Sequence, residues 1–516
     1  MNLFFALSPF LTLALGALLL MVAEAAAAGN GRGEKVRPGL ALGAALTCFA
    51  SCAAAAGVWF YGVERIEGLD VLQPWLIIDR FTLFFAGLLA LGGGLASLLA
   101  GGYLPEHQIE RGEFYALLLF STLGALILAA AGDVLTLFLG LETMSLGVYA
   151  LTAFRRASPR SAEAALKYFL LGSFAAALLL FGFALLYGAT GHTDLAGLGQ
   201  AVKMIASGAL SGQAAGPATL GAAAAPLVLF GFILVLAGLV FKVSAVPFHM
   251  WTPDAYEGAP TPATSFMAVA VKAGAFAVLL RVLLVCFGDK QSTSWANGWP
   301  AVIAWIAVLT MTVANLVAGR QESVKRMLAY SSIAHAGYLL VGVVATSRDG
   351  TAGTSGILFY LLGYTVATIG AFGGLILAGH RGAEAVSFED LAGLGRRHPA
   401  AALPFALFLL SLAGVPPTAG FFGKWFILKA AMEGGFSVLT VVAFLNSVLG
   451  AYYYLKVLVY LYMREPGAGA PIATPMKSGY VNVALAVSAF FVVLIGLDPS
   501  RSLSVATRAA ASLFGG

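Results

Sequence analysis

At 516 residues, 60% of them hydrophobic and only 10% charged, with a mean hydropathy of +0.90, the chain excludes a water-soluble domain of this length and reads as an integral membrane protein. The net charge of +5 belongs to basic loops and implies no nucleic-acid partner; the partner that composition demands is the lipid bilayer. Three cysteines, Cys48, Cys52 and Cys286, all lie in apolar runs and make neither a disulfide framework nor a metal set.

Apolar stretches of about 20 residues recur from end to end, each long enough to cross a hydrocarbon core as a helix. Barrel strands are excluded, because runs such as AALLLFGFALLYG are apolar on every face. The first stretch, 3–27, has no Lys or Arg before Arg32 and is expected to remain a span, not a cleaved secretion signal. Further spans are expected near 38–61, 77–103, 113–131, 133–153, 163–189, 225–248, 262–287, 299–318, 324–345, 354–379, 400–434, 438–463 and 480–497, about fourteen in all. The seventh is interrupted by Pro247, and the twelfth, with AGVPPTAGFFGK inside it, is expected to be two half-helices around a Pro-Gly break. Connections 190–224 and 380–399 are too short to bury a core. The first, through ASGALSGQAAGPATLGAAAA, is expected to be a loosely packed loop, and the second to form a short amphipathic helix.

One alternate set of loops carries Arg32, Lys35, Arg37, Arg111, Arg155, Arg156, Arg160, Arg320, Lys325, Arg326, Arg381, Arg396, Arg397, Arg464 and Lys477. The opposite set, with Arg65, Arg80, Lys203, Lys290, Arg348, Arg501 and Arg508, is poorer, so the first set is assigned to the cytoplasm and both termini to the outside. The two broken spans, the seventh with Lys242 and the twelfth with Lys424, stand five helices apart. An odd offset reverses the direction of crossing, which predicts two inverted five-helix repeats at 113–287 and 299–463, flanked by an N-terminal three-helix segment, 1–112, and a C-terminal loop and last span, 464–516. The fold class is therefore all-α and polytopic.

A charge at mid-bilayer costs about 2.5–3.5 kcal/mol on insertion scales, so each one needs a reason. Glu142 lies roughly 13 Å into the fifth span at helical rise, Lys242 is deep in the seventh, Lys272 is midway along the eighth, and Lys424 is just past the break of the twelfth. A structural pairing could account for Glu142 with one lysine, but one carboxylate cannot neutralise three. A buried lysine without a counter-charge can gain and lose a proton, which is what a relay needs. His335, central in the tenth span, fits either a relay or a hydrogen-bonded structural imidazole. Lys167 and Lys456, near the ends of their spans, are explained by snorkelling, as are Arg281 and Lys429.

Four stretches, VFKVSAVPFHMWTPDAYEGAPTPATSFMA, LTLFLGLETMSLGVYAL, QESVKRMLAYSSIAHAGYLL and AGVPPTAGFFGKWFI, resemble the antiporter-like membrane subunits of NADH-quinone oxidoreductase, respiratory complex I. The likeness runs from about 113 to 463. Within that family WTPDAYEGAPTP and the lysine at 424, where a sister subunit has glutamate, resemble one branch; the end of the chain soon after the last span, without the long lateral helix of the largest sister, favours the same branch. The resemblance implies a proton-translocating subunit of a translocase in the bacterial inner membrane, partnered by sister antiporter-like subunits and the peripheral subunits of the complex. It implies that Glu142 partners Lys242, that Lys272 is the central lysine, that Lys424 is the terminal one facing the outer exit, that His335 connects two half-channels, and that Lys167 matches a family lysine. No cofactor is implied in this subunit, since flavin, iron–sulfur clusters and the quinone site belong to other subunits. The alternative is a component of a multisubunit cation/proton antiporter; an inert scaffold that kept ancestral charges is a third reading.

Overall fold

A computed structural model describes residues 2–29, 39–207, 224–379, 382, 384–466 and 473–514. Arg32, Lys35, Arg37, Arg381 and most of the stretch ASGALSGQAAGPATLGAAAA lie outside the described residues. Among those described, every named element is helical. Leaving aside turns of a few residues, the helices are α1 (Ser8–Gly29), α2 (Leu40–Tyr61), α3 (Arg80–Glu106), α4 (Glu113–Ala130), α5 (Val134–Thr152), α6 (Pro159–Thr190), α7 (Leu195–Ala206), α8 (Ala224–Lys242) and α9 (Trp251–Gly258). After them come α10 (Thr261–Cys286), α11 (Trp299–Gly319), α12 (Val324–Thr346), α13 (Gly350–Leu377), α14 (Pro399–Ala413), α15 (Ala419–Glu433), α16 (Ser437–Tyr462), α17 (Gly479–Leu497) and α18 (Pro499–Ala511). Thirteen of the described helices are long and apolar enough to cross a membrane, and α14 and α15 share the stretch expected as the broken twelfth span.

Helix starts follow from their caps. Asp79, Asp133, Ser158, Asp194, Ser323, Asp349 and Ser478 each accept a hydrogen bond from a backbone N–H of the first turn, a donor that would otherwise be orphaned at the membrane boundary. Packing then sorts the helices. The 18-residue apolar windows of α12 and α13 are each 94% buried and that of α10 is 89% buried, against 22% for α1, so α10, α12 and α13 form the centre. Close approach needs small residues. A Cβ on Gly124 would lie 2.4 Å from the Met144 nitrogen of α5, and one on Gly182 would lie 2.7 Å from the Val235 nitrogen of α8.

Three expectations are corrected. The seventh span stops at Lys242 and not near 248, because Ser244 takes φ +65° and Pro247 follows, so the chain turns before restarting as α9. The 190–224 connection is not loose throughout: α7 buries Leu195, Leu198, Ala201 and Val202, with Asp194 as its cap. Among the described residues of 380–399, a 3-10 turn, Glu389–Leu391, and a single α-helical turn, Leu394–Arg397, which follows Gly393 at φ +73°, stand in place of an amphipathic helix. One further amphipathic helix, α18, falls beyond the last expected span and packs on α13 and α3.

Candidate functional site

The site begins where α8 ends. Backbone groups released by the break find local partners: Trp251 Nε1 donates to the Phe241 carbonyl at 3.2 Å, and Val246 N donates to Thr310 Oγ1 at 3.0 Å. Lys242, the last residue of α8, is buried and donates from Nζ to Ser145 Oγ at 2.8 Å, with Tyr149 OH at 3.5 Å. Glu142, one turn before Ser145 on α5, is the carboxylate that acts on this ammonium through space. No ion pair joins the two: the ammonium is held by the Ser145 hydroxyl, and Glu142 Oε1 is buried without a hydrogen-bond partner.

Lys272 sits on α10 directly after a π-helical segment, Met267–Val271, with a second such segment at Val282–Cys286. Wide turns of this kind re-aim side chains and recur at functional sites. Its ammonium donates to both the carbonyl and the hydroxyl oxygen of Ser332 on α12, and Tyr364 OH donates to the same hydroxyl at 2.9 Å. One turn further along α12, His335 pairs through Nδ1 with Tyr360 OH at 2.5 Å and through Nε2 with Tyr454 OH at 2.9 Å; Tyr454 also bonds Ser331. Ser331, His335 and Tyr338 recur at i, i+4 and i+7 and so share one face of α12.

Lys424, on α15, closes the row. Its Nζ donates to the Ala413 carbonyl at 2.9 Å, an oxygen freed where α14 ends, and to Ser447 Oγ at 3.0 Å; the Tyr338 ring lies 5.1 Å away. Gly414 makes this possible: it takes φ +90°, and a Cβ there would lie 3.1 Å from Lys424 Cδ. Two small cavities of about 10 Å³ flank the row, each on the scale of one water. One is lined by Lys424, Tyr338 and Ser447, the other by His335, Tyr360, Tyr364 and Ser411. Among the described residues, Lys242, Lys272 and Lys424 have only neutral oxygens as hydrogen-bond partners. Each of the three ammonium groups thus meets at least one hydroxyl that can both donate and accept a proton.

Lys167 stands apart from it. This side chain is exposed and ion-paired to Glu163 at 2.8 Å and Asp254 at 2.9 Å; Arg326 shares Asp254, and the two cations hold that carboxyl below its ordinary range despite partial desolvation. Two basic residues are more deeply set than their sequence positions suggested. Arg281 does not snorkel but is buried against Asp79, with bonds of 3.2 Å to both carboxylate oxygens. Lys325, grouped above with the loop charges, is 1% exposed, donates to the Ala259 carbonyl at 2.7 Å and pairs with Glu384 at 3.2 Å. The hydroxyls of Ser332, Tyr360, Tyr364 and Tyr454 escaped sequence reasoning altogether; their signal is polar residues at helical spacing inside apolar runs, as in FYLLGYTVAT. No group of three or more His, Cys, Asp or Glu side chains able to hold a metal ion occurs among the described residues.

The family described as NADH:quinone oxidoreductase/Mrp antiporter, TM, matches residues 131–450. Over 510 residues, 98% of either chain, the sequence is 65% identical to NADH-quinone oxidoreductase subunit N 1 of Sorangium cellulosum (strain So ce56). A chain of respiratory complex I from Thermus thermophilus has a TM-score of 0.72 at 33% identity, covering 96% of this chain and 98% of that one. A chain of the Mrp complex from Dietzia sp. DQ12-45-1b has a TM-score of 0.81 at 22% identity, covering 99% and 98%, a likeness of fold.

Proposed function

Because the chain belongs to the NADH:quinone oxidoreductase/Mrp antiporter family of membrane subunits, we propose that it is the subunit N of a bacterial NADH-quinone oxidoreductase and translocates protons within that enzyme. It is a multi-pass protein of the inner membrane, and its partners are the other subunits of complex I. Redox chemistry takes place elsewhere in the complex, and this chain supplies no cofactor site. The observation that carries the reading is the row of buried lysines with neutral partners, Lys242, Lys272 and Lys424, with His335 between the last two.

Protons enter from the cytoplasmic side, where Arg155 and Lys325 lie, and both termini face outside. The chain is organised as inverted repeats, 113–287 and 299–463, whose broken helices α8 and α14–α15 bring backbone oxygens and a lysine together at mid-membrane. Drawing Glu142 onto Lys242 favours the ammonium; releasing it lets the proton pass to Lys272, whose Ser332 hydroxyl leads toward His335. From there Tyr338 and a single-water cavity connect to Lys424, which faces the outer half of the membrane. Moving one charge against 100 mV costs about 2.3 kcal/mol, and one tenfold change in proton affinity is worth about 1.4 kcal/mol, so a carboxylate that makes or breaks one contact works on the required scale. Lys167 belongs to the cytoplasmic surface network and orients Asp254.

The test is Lys272→Met in the assembled complex. Coupled quinone reduction and NADH-driven proton translocation are expected to fall at least about tenfold, as for loss of an acid–base group, while NADH oxidation by an artificial acceptor persists. Normal translocation by that variant overturns the relay. The antiporter reading makes a different prediction, that the chain purifies without quinone-reducing subunits and exchanges protons against a metal-cation gradient.

A further inference from the structure

Between His335 and Lys424 the relay runs past an uncharged side chain with no assigned part in it. Asn315 of α11 is buried, 3% exposed, and all its hydrogen-bonding groups are used. Its amide nitrogen donates to Tyr338 OH at 3.2 Å and to the Asn446 carbonyl of α16 at 3.0 Å, while its amide oxygen accepts from Tyr453 OH at 3.0 Å. Gly450 of α16 makes room for it, since a Cβ there would lie 3.1 Å from Asn315 Oδ1.

Both phenols lead to the relay. Tyr338 places its ring 5.1 Å from Lys424 Nζ and 6.0 Å from the His335 ring, so it stands between the two groups. Tyr453 packs its ring 4.5 Å from that of Tyr454, whose hydroxyl bonds His335 Nε2. One amide therefore fixes the phenol beside the lysine and, at one remove, the phenol on the imidazole. A buried amide in a membrane needs partners, but partners of any kind would serve; here two of the three are phenols that lead to the two ends of a single transfer step. The geometry points to Asn315 as a positioning residue for proton passage between His335 and Lys424, an inference that rests on the relay reading above.

The test uses the assembled complex in sealed vesicles, with NADH-driven proton translocation normalised to NADH oxidation by an artificial acceptor. Asn315→Leu, near-isosteric and without hydrogen bonds, is expected to lower translocation per assembled complex by at least about fivefold. Tyr338→Phe, which removes the phenol hydroxyl itself, is expected to lower it at least as much, and the double variant to be no worse than the more affected single variant, because Asn315 acts through that phenol. Asn315→Asp restores translocation at low pH, where the neutral acid both donates and accepts, and loses that rescue relative to wild type as the pH rises. Normal translocation per complex in Asn315→Leu, multiplying effects in the double variant, or an Asp variant indifferent to pH each overturns the proposal and leaves Asn315 a packing residue. Lys424→Met in the same assay separates the two readings. If it pumps normally, the relay fails; if it fails to pump while Asn315→Leu pumps, only the positioning role is lost.

Discussion

On the relay reading, Lys242 must both hold and give up a proton. Its ammonium is held by a serine hydroxyl at 2.8 Å, with the carboxylate of Glu142 in electrostatic reach but not ion-paired with it. That arrangement calls for a group able to lose its proton, so Lys242→Arg is expected to abolish coupled turnover as fully as Lys242→Ala, because a guanidinium hardly deprotonates. Glu142→Gln is expected to act through the same lysine. A double-mutant cycle of Glu142→Gln with Lys242→Ala, read as proton translocation per assembled complex, should show strong coupling, whereas additive effects would separate the two residues. The charged members of the row were legible in the sequence because an ammonium or carboxylate inside an apolar run has a cost and stands out. Ser332, Tyr360, Tyr364 and Tyr454 were not, since a hydroxyl on a spanning helix costs little and packs against lipid or protein equally well. Lys325 and Arg281 were misplaced for a different reason: their partners, Glu384 and Asp79, are distant in sequence, and spacing alone gives no sign of them.

The breaks after Lys242 and at Gly414 were legible from proline and glycine in apolar runs, since each forbids continued helical hydrogen bonding there. Helices α7 and α18 were not, because they lie outside the apolar stretches by which spans are recognised, and only their tertiary packing makes them visible. One element-scale contact joins distant segments. Glu384, in the connection after α13, pairs with Lys325 of α12 and Arg155, accepts a hydrogen bond from Thr261 of α10 at 2.7 Å, and also bonds Tyr103 of α3. The Lys325 and Arg155 charges, aided by these hydrogen bonds, override desolvation and hold its carboxyl down to about 2. A carboxyl with a lowered folded value stabilises above its unfolded value and loses that contribution as the pH falls through the folded one. The latch is therefore fully present above its ordinary value of 4.5 and lost as the pH drops toward about 2. Glu384→Gln leaves Lys325 buried without its counter-charge and is expected to cost roughly 3–5 kcal/mol. Thermal inactivation of the purified complex reads this out, and an unchanged inactivation temperature would show that the latch contributes nothing.

The central helices α10, α12 and α13 carry Lys272, Ser332, His335, Tyr360 and Tyr364, while α8 and α15 supply Lys242 and Lys424 beside their breaks. This division explains how a largely apolar chain keeps Lys242, Lys272 and Lys424 inside a membrane: each sits where a backbone carbonyl or a neighbouring hydroxyl meets it. Lys424 follows the second break in the chain and has the Ala413 carbonyl and Ser447 as partners. If the row carries protons outward, Lys424 is the last protein group to hold one. The most direct measurement is the number of protons translocated per NADH oxidised in sealed vesicles, for Lys424→Met and Lys424→Glu at matched assembly. A carboxyl can still take up and release a proton and a thioether cannot, so Lys424→Glu should retain part of this subunit's share of the stoichiometry and Lys424→Met should lose that share. Equal, near-normal stoichiometry in the methionine variant would contradict the account and make Lys424 a packing residue.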